Sequence, residues 1–391
     1  MFSSRLPAHL ASNAITRAAE SLRTRGVPLL DLTESNPTRV GLAYPPGLLA
    51  VLSDPAGLVY RPEPLGLPSA QAGIARYITS SRGVEIDPAR LVLSASTSEA
   101  YGWLFKLLCE PGDEVLVPAP SYPLFDSLAS LEAVHLSAYR LDYHGVWSID
   151  RESLTQRLAS RTRAILVVSP NNPTGSRLRD GDREWLIGVA ATHGLALISD
   201  EVFAEYPLRP APDASSLHET TGALTFVLGG LSKSAALPQL KLAWTMVSGP
   251  PALVDEALTR LEIIADTYLS VSTPIQLAAP ALLDDTHSLR AQIQARLETN
   301  LTCLEAMTAG SPVTLLRPEG GWSAVLRLPA IEPEEALVLR LIDEDHVLVH
   351  PGYFFDFDTE AWLVVSLLPE PERFRDAIRR VVARAGTLAV S

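Results

Sequence analysis

A lysine in this sequence stands where it could act as a nucleophile. Lys233 lies in the segment Gly229-Gly230-Leu231-Ser232-Lys233-Ser234, directly after an apolar run. A lysine held in a loop of small residues beside a cleft can be desolvated, and its amine then becomes nucleophilic. For any single lysine a solvated surface position is the commoner case, so this interpretation depends on the residues that accompany it.

Two more polar residues close apolar runs of the same kind. Asp200 ends the run Leu195–Asp200, where its carboxylate would either cap a helix or pair with a buried cation. Asn172 lies in Ser-Pro-Asn-Asn-Pro-Thr-Gly, residues 169–175, after the run Ala164–Ser169. Taken alone, that segment is equally typical of an ordinary turn.

A group of hydroxyl residues before a predicted helix indicates an anion-binding site. Ser96, Thr97 and Ser98 follow the run Leu91–Ala95 and precede a stretch with helical spacing. The free amides at the start of a helix bind phosphate well, although a simple helix cap explains the same residues.

The elements that must position these side chains alternate along the chain. Short apolar runs alternate with amphipathic stretches through the middle of the sequence, which predicts an α/β fold with buried, mainly parallel strands. In such a sheet, ligands bind at the carboxyl ends of the strands. We expect a large domain at residues 45–280 and a smaller α+β domain formed by residues 1–44 and 281–391, with a helix at about 8–25. Seven strands are predicted, from the apolar runs Leu91–Ala95, Glu114–Pro118, Ala133–Ala138, Ala164–Ser169, Leu195–Asp200, Thr225–Gly229 and Leu242–Ser248.

Composition excludes several classes of function. The 391 residues carry a formal net charge of −13 and show no basic run, so we expect no binding to nucleic acid or to an anionic membrane surface. No apolar run reaches the roughly 18 residues of a membrane-spanning helix. Two cysteines do not make a disulfide framework, and the eight histidines lack the spacing of metal ligands. A cytoplasmic enzyme of small-molecule chemistry, without a metal, is the expectation.

Together, these residues resemble those of the fold-type I aminotransferases of class I and II, and the resemblance runs in order over nearly the whole chain. It implies an α/β protein with a large, mainly parallel seven-stranded sheet and a smaller α+β domain. The stretches that carry it are Tyr60 with Gly66-Leu67-Pro68, Ser96–Ala100, Pro120–Pro123, Pro170–Gly175, Asp200–Val202, Leu231–Leu240, Ser272–Pro274 with Gln276, Pro318–Gly321, and Pro351-Gly352.

The resemblance also implies roles around pyridoxal 5′-phosphate (PLP). Lys233 would form a Schiff base with the cofactor and shuttle the proton during catalysis. Asp200 would pair with the pyridine nitrogen, Asn172 would donate to the ring oxygen O3′, and Tyr122 would stack on the ring.

The phosphate of the cofactor would lie at the start of the helix after Ser96. The amides of Thr97 and Ser98 would bind it, with Ser232 or Ser234 and the cation Lys241 nearby. Tyr60 would reach it from the partner subunit, because the resemblance implies a homodimer with shared active sites.

Four positions depart from the family pattern. Phe203 replaces a tyrosine that donates to O3′, Gly230 replaces a hydroxyl residue, and Lys241 replaces an arginine. Val364 stands where the family carries the arginine that binds the substrate carboxylate. The substrate site loses its usual anchor as a result.

Other residues are candidates for the substrate side of the site. The segment with Asn36 and Arg39 lies where the family lines its substrate pocket, and Arg39 could replace the missing cation, although a solvated arginine is an equal alternative. His350 and the aromatic residues 353–357 could face the substrate or simply pack. Trp322, after the double glycine, is expected in the core.

Transamination is the predicted activity, with an amino acid as donor and a 2-oxo acid as acceptor, both small molecules. A PLP-dependent C–S β-lyase remains an alternative, because the same lysine supports elimination when the substrate carries a leaving group. A non-enzymatic protein with this fold is a further alternative. It is disfavoured because no DNA-binding module precedes the match and the chain is acidic.

Overall fold

The computed structural model describes residues 2–7 and 11–390. Helices and strands alternate through the first two thirds of these residues, as the sequence predicts. The strands are β1 (Leu30–Asp31), β2 (Leu91–Ser94), β3 (Glu114–Ala119), β4 (His135–Tyr143), β5 (Trp147–Ile149), β6 (Thr162–Val168), β7 (Ala196–Asp200), β8 (Thr225–Gly230), β9 (Ala243–Ser248), β10 (Thr314–Leu316), β11 (Ser323–Arg327), β12 (Val347–Leu348), β13 (His350–Pro351) and β14 (Trp362–Ser366).

The α-helices surround the sheets, and several of them carry the capping residues that the sequence suggests. The first begins after Asn13, whose Oδ1 accepts a hydrogen bond of 2.8 Å from the amide of Thr16. It is shorter than the predicted helix over 8–25, of which residues 8–10 lie outside the described residues. The helices are α1 (Ala14–Thr24), α2 (Pro68–Arg82), α3 (Thr97–Leu108), α4 (Phe125–Leu131), α5 (Arg151–Arg157), α6 (Asp180–His193), α7 (Leu231–Ser234), α8 (Pro251–Tyr268), α9 (Thr273–Asp285), α10 (His287–Thr308), α11 (Glu334–Asp343) and α12 (Pro371–Val390).

The largest sheet has eight strands within the described residues, in the order β2-β9-β8-β7-β6-β3-β4-β5. The five strands from β8 to β4 are parallel to one another, whereas β9 and β5 run antiparallel to their neighbours. The predicted α/β class is confirmed. The expectation of seven strands missed β5, because this three-residue strand returns from β4 through a turn at Gly145 and forms no apolar run of its own.

Both faces of this sheet are covered by apolar side chains. Successive residues of β7 point to opposite faces, so Leu197 joins one apolar cluster and Ile198 joins another. Both are fully buried. This double burial explains why the central strands appear in the sequence as continuous apolar runs rather than as alternating ones.

A second, antiparallel sheet lies in the last third of the chain. Its order is β10-β11-β14-β13, so β14 is an inner strand. A separate parallel pair joins β1 to β12, with Leu30 opposite Val347. The N-terminal segment therefore packs with the C-terminal part, as the predicted small domain requires, and the division into two domains stays a prediction. In the described part of the chain, no helix is both long and apolar enough to cross a membrane.

Candidate active site

A cavity of about 420 Å³ opens where the strands of the large sheet end. Strands β2 and β8 are both antiparallel to β9, so they run in the same direction as β7 and end at the same edge. Residues that follow these three strands line one side of the cavity. The second sheet lines the other side through β11, β13 and β14. The position agrees with the rule that ligands bind at the carboxyl edge of an open α/β sheet.

Lys233 lies in this cavity on the short helix α7, which begins directly after β8. Its Nζ atom is 4.6 Å from the ring centre of Trp322 and 5.1 Å from that of Phe203. Desolvation lowers the pKa of the lysine to about 8, and the nearby charge of Asp200 opposes that shift. An amine with this pKa is available in its neutral, nucleophilic form near neutral pH.

Asp200 is the last residue of β7, and its carboxylate is buried in the same cavity. Its Oδ2 accepts a hydrogen bond of 2.8 Å from the hydroxyl of Tyr101, and its Oδ1 accepts one of 3.2 Å from the amide of Val202. Burial raises the pKa of Asp200, whereas the two hydrogen bonds oppose the rise. Tyr101 was missed by the sequence analysis. The available signal was its position one helical turn after Thr97, on the same face of α3.

The start of α3 combines a helix cap with a possible anion site. Ser96 is the cap, since its Oγ accepts a hydrogen bond of 3.1 Å from the amide of Glu99. Thr97 and Ser98 line the cavity, and no acceptor for their backbone amides is found among the described residues. Both sequence interpretations therefore apply to this segment, because a capped helix still has free amides in its first turn.

A hydroxyl and a cation stand in the same part of the lining. Ser232 precedes the lysine on α7, and Lys241 follows the turn before β9. Ser234 does not share this position, because it is buried and its Oγ donates to Oε2 of Glu205 at 3.2 Å. Of the two serines predicted near the phosphate, Ser232 is the one in the cavity.

Tyr122, Asn172 and Phe203 also line the cavity. The ring of Tyr122 meets Phe125 edge to face at 5.7 Å between centres and remains 39% exposed. Asn172 accepts a hydrogen bond of 3.4 Å from Ser323 of β11 through Oδ1. The cavity therefore has an aromatic side chain and an amide beside Asp200 and Lys233.

Besides Ser234, three predicted residues lie outside this cavity. Tyr60 is 78% exposed and lines a separate surface hollow with Arg61. Asn36 uses its Oδ1 to accept from the amide of Thr38, as the cap of a short helical turn.

Arg39 is the third residue outside the cavity. Its side chain is 72% exposed, and its Nε lies 3.6 Å from a carboxylate oxygen of Glu34. The structure thus gives no support to Arg39 as a replacement for the missing carboxylate anchor within the subunit. Another arginine, Arg317, donates to the carbonyl of Pro210 and is also absent from the lining.

The side of the cavity formed by the second sheet contains Ser323, His350, Val364 and Ser366, which we call the second-sheet wall. Among the residues that the structure describes, no arginine lines the cavity. Trp322, which precedes this wall, is only 2% exposed, so the expectation of a core position holds, although its ring also borders the cavity.

The sequence of this chain matches a known protein family. The family model described as aminotransferase class I and II matches residues 56–381. The chain belongs to this family. It is therefore an enzyme that transfers amino groups, and the resemblance noted in the sequence is confirmed.

Curated aminotransferases align with almost the full chain. The glutamate-pyruvate aminotransferase AlaA of Haemophilus influenzae is 24% identical over 375 residues, which cover 94% of this chain and 93% of that protein. The alanine aminotransferase of Mycobacterium bovis is 25% identical, with coverage of 93% and 87%.

Solved aminotransferase structures share the fold. An alanine aminotransferase from Pyrococcus furiosus superimposes with a TM-score of 0.86 over 100% of both chains, at 23% identity. An aminotransferase from Escherichia coli gives a TM-score of 0.86 over 98% of both chains, also at 23% identity.

Proposed function

We propose that this aminotransferase uses PLP, held by Lys233, to move an amino group from an amino acid to a 2-oxo acid. One observation carries the proposal. The lysine amine, the buried carboxylate of Asp200 and the free amides at the start of α3 all line one cavity. PLP carries an aldehyde, a pyridine nitrogen and a phosphate, and these three groups match the three partners.

The remaining lining residues fit the same cofactor. Asp200 would hold the proton of the pyridine nitrogen, while Tyr101 fixes the orientation of the carboxylate. Thr97, Ser98, Ser232 and Lys241 would bind the phosphate, with Ser96 holding the helix that carries two of them. Tyr122 would pack on the ring, and Asn172 would donate to its oxygen O3′.

When bound, PLP supplies an aldehyde carbon that takes up the substrate amino group and a ring that accepts electrons from the neighbouring carbon. Lys233 then serves as the group that moves a proton at its Nζ atom. Its pKa of about 8 leaves both protonation forms accessible near neutral pH. The rings of Phe203 and Trp322 give Nζ an apolar environment on that side.

A homodimer with shared sites belongs to the same proposal, with Tyr60 reaching the phosphate in the partner subunit. Leu58, Val59 and Tyr60 form an exposed apolar stretch, at 89%, 58% and 78% exposure. Such a stretch is typical of an interface between proteins. Tyr60 also lies outside its own subunit's cavity, which leaves it free for a neighbour's.

The number of lysines makes a direct test possible. The sequence contains three, Lys106, Lys233 and Lys241. Borohydride reduction of the purified protein should fix PLP to the peptide with Lys233, and attachment at either other lysine would refute the assignment. Lys233→Ala should fold normally but lose turnover by several orders of magnitude, because nucleophile and proton carrier disappear together. Lys106→Ala is the matched control, since that side chain pairs with Glu132 outside the cavity.

The products separate transamination from the lyase alternative. Given an amino donor alone, the proposed enzyme should release one equivalent of oxo acid and retain the amino group on the cofactor. Continuous release of ammonia would show elimination instead.

A further inference from the structure

The second-sheet wall has little free capacity for hydrogen bonding. Ser323 donates to Asn172 at 3.4 Å, and Ser366 donates to the carbonyl of Glu34 at 2.7 Å. Thr33, which lies beside this wall, donates to Asp31 at 2.6 Å. These hydroxyls already have acceptors within the protein, so they are poorly placed to recognise a substrate.

His350 differs from these residues. The ring lines the cavity, and no hydrogen bond of either ring nitrogen is found among the described residues, where its ring contacts are with Phe354 and Phe355. Phe354 and Phe355 hold it in place, with ring centres 5.9 Å and 5.7 Å away. The aromatic neighbours fix the orientation of this polar ring, and its nitrogens are free to form a hydrogen bond with a ligand in the cavity.

The strand register places this ring at the position of the missing anchor. His350 in β13 lies directly opposite Val364 in β14. Directly opposite residues of an antiparallel pair point to the same face, with their Cβ atoms about 5 Å apart. Both residues line the cavity, so the imidazole borders the same part of it as Val364.

We propose that His350 receives the carboxylate of the amino acid and 2-oxo acid substrates, in the place of an arginine. This inference rests on the proposed function, since it concerns the substrates of that reaction. A carboxylate that enters a partly desolvated cavity needs a donor, and the imidazole offers an N–H on a wall whose serine hydroxyls already donate within the protein.

Charges around the ring determine its protonation. Burial lowers the pKa of His350, and the carboxylate of Asp31 in β1 opposes that shift. The opposite strand presents Val364, and the next turn presents Phe354 and Phe355. The other ionisable groups that line the cavity are Tyr101, Tyr122, Asp200, Lys233 and Lys241. The free site therefore holds a neutral imidazole near pH 7. A bound carboxylate stabilises the imidazolium, so substrate binding should take up a proton.

Calorimetry with an unreactive acid tests this without turnover. Pentanoate is titrated into the PLP-loaded enzyme at pH 7 in two buffers of different protonation enthalpy, which gives the number of protons taken up. The wild type should take up protons on binding. His350→Gln should bind pentanoate about 10- to 100-fold more weakly, because a hydrogen bond to a charged group is lost. The variant should also lack the proton uptake that His350 contributes in the wild type. His144→Gln, at an exposed position outside the cavity, is the control. Unchanged affinity and proton count in His350→Gln would overturn the proposal.

A second experiment compares substrates that differ only in the carboxylate. Each amino acid that the wild type accepts is tested beside its decarboxylated amine, for example leucine beside 3-methylbutylamine. His350→Phe should raise KM for each amino acid by a clearly larger factor than KM for the matching amine. Equal losses for both members of a pair would assign His350 a merely structural role. Absence of amino transfer in the wild type would refute the proposed function. The pentanoate experiment would still test whether His350 binds a carboxylate, because it does not depend on turnover.

Discussion

The hydroxyl of Tyr101 donates a hydrogen bond to Asp200 across the base of the cavity, at 2.8 Å. Tyr101 is 2% exposed and Asp200 is 7% exposed, so water does not compete for this bond. Burial pushes the carboxyl toward its neutral form, and the tyrosine acts in the opposite direction. The hydrogen bond therefore favours the ionised carboxylate, which is the form that a protonated pyridine nitrogen requires.

Tyr101→Phe should impair turnover more than cofactor binding. Without the hydroxyl, the pKa of Asp200 rises further, so the acid limb of the pH profile of kcat should move to higher pH. The loss of kcat should be about tenfold, as expected for one hydrogen bond to a charged group. Tyr139→Phe is a matched control, because that buried hydroxyl bonds to the carbonyl of Leu166 outside the cavity. An unshifted profile in Tyr101→Phe would show that another group keeps Asp200 ionised.

Lys241 provides a test of the phosphate site. Lys241→Ala should raise the Kd for PLP about 10- to 100-fold, because a charge-assisted contact is lost. The residue has a positive φ of 54°, a conformation that glycine adopts without strain. Lys241→Gly should therefore weaken PLP binding equally while preserving the stability of the fold. Titration of the cofactor-free variants with PLP, with inorganic phosphate as competitor, measures the change in Kd, and urea unfolding measures the stability. If the glycine variant binds PLP normally, weaker binding in the alanine variant would come from backbone strain and not from loss of the charge.

His218 should make stability depend on pH. The ring is buried beside Glu201, and burial lowers its pKa to about 4 from 6.5. The unfolded chain binds a proton in this interval and the folded chain does not, so stability falls as pH drops below 6.5. The contribution between pH 6.5 and 5 is about 2 kcal/mol. Urea unfolding of His218→Gln should show a shallower pH dependence, whereas exposed His193→Gln should follow the wild type. Parallel curves for wild type and His218→Gln would exclude this linkage.

Much of the site could be predicted because its residues follow strands. Asp200 ends an apolar run, and Ser96 and Lys233 follow such runs within four residues, so local sequence is enough to place them at one edge of the sheet. Tyr101 and His350 could not be assigned in the same way. The first depends on which face of α3 meets β7, and the second depends on the register of β13 against β14. Such relationships arise from tertiary packing and leave no periodic pattern in the sequence.

Arg39 shows the opposite limitation. Its neighbours place the segment near the substrate, but position along a chain does not determine where a side chain points. The guanidinium turns to Glu34 and to solvent instead. Moving a surface cation away from a local acidic partner into a partly apolar cavity is unfavourable, because removing the charge from water costs free energy.

The pairing of β1 with β12 has a consequence for biosynthesis. A ribosome releases Thr33 and Ser35 early, yet the strand beside them contains Val347, and Ser366 donates to Glu34. The large sheet, from β2 to β9, can assemble on the nascent chain while the N-terminal segment is still without its partner. Lys233 and Asp200 would then be in place before the pocket for the substrate exists. A chain that stops before Ser323 should therefore contain the cofactor-binding residues but lack the second-sheet wall that contacts the substrate.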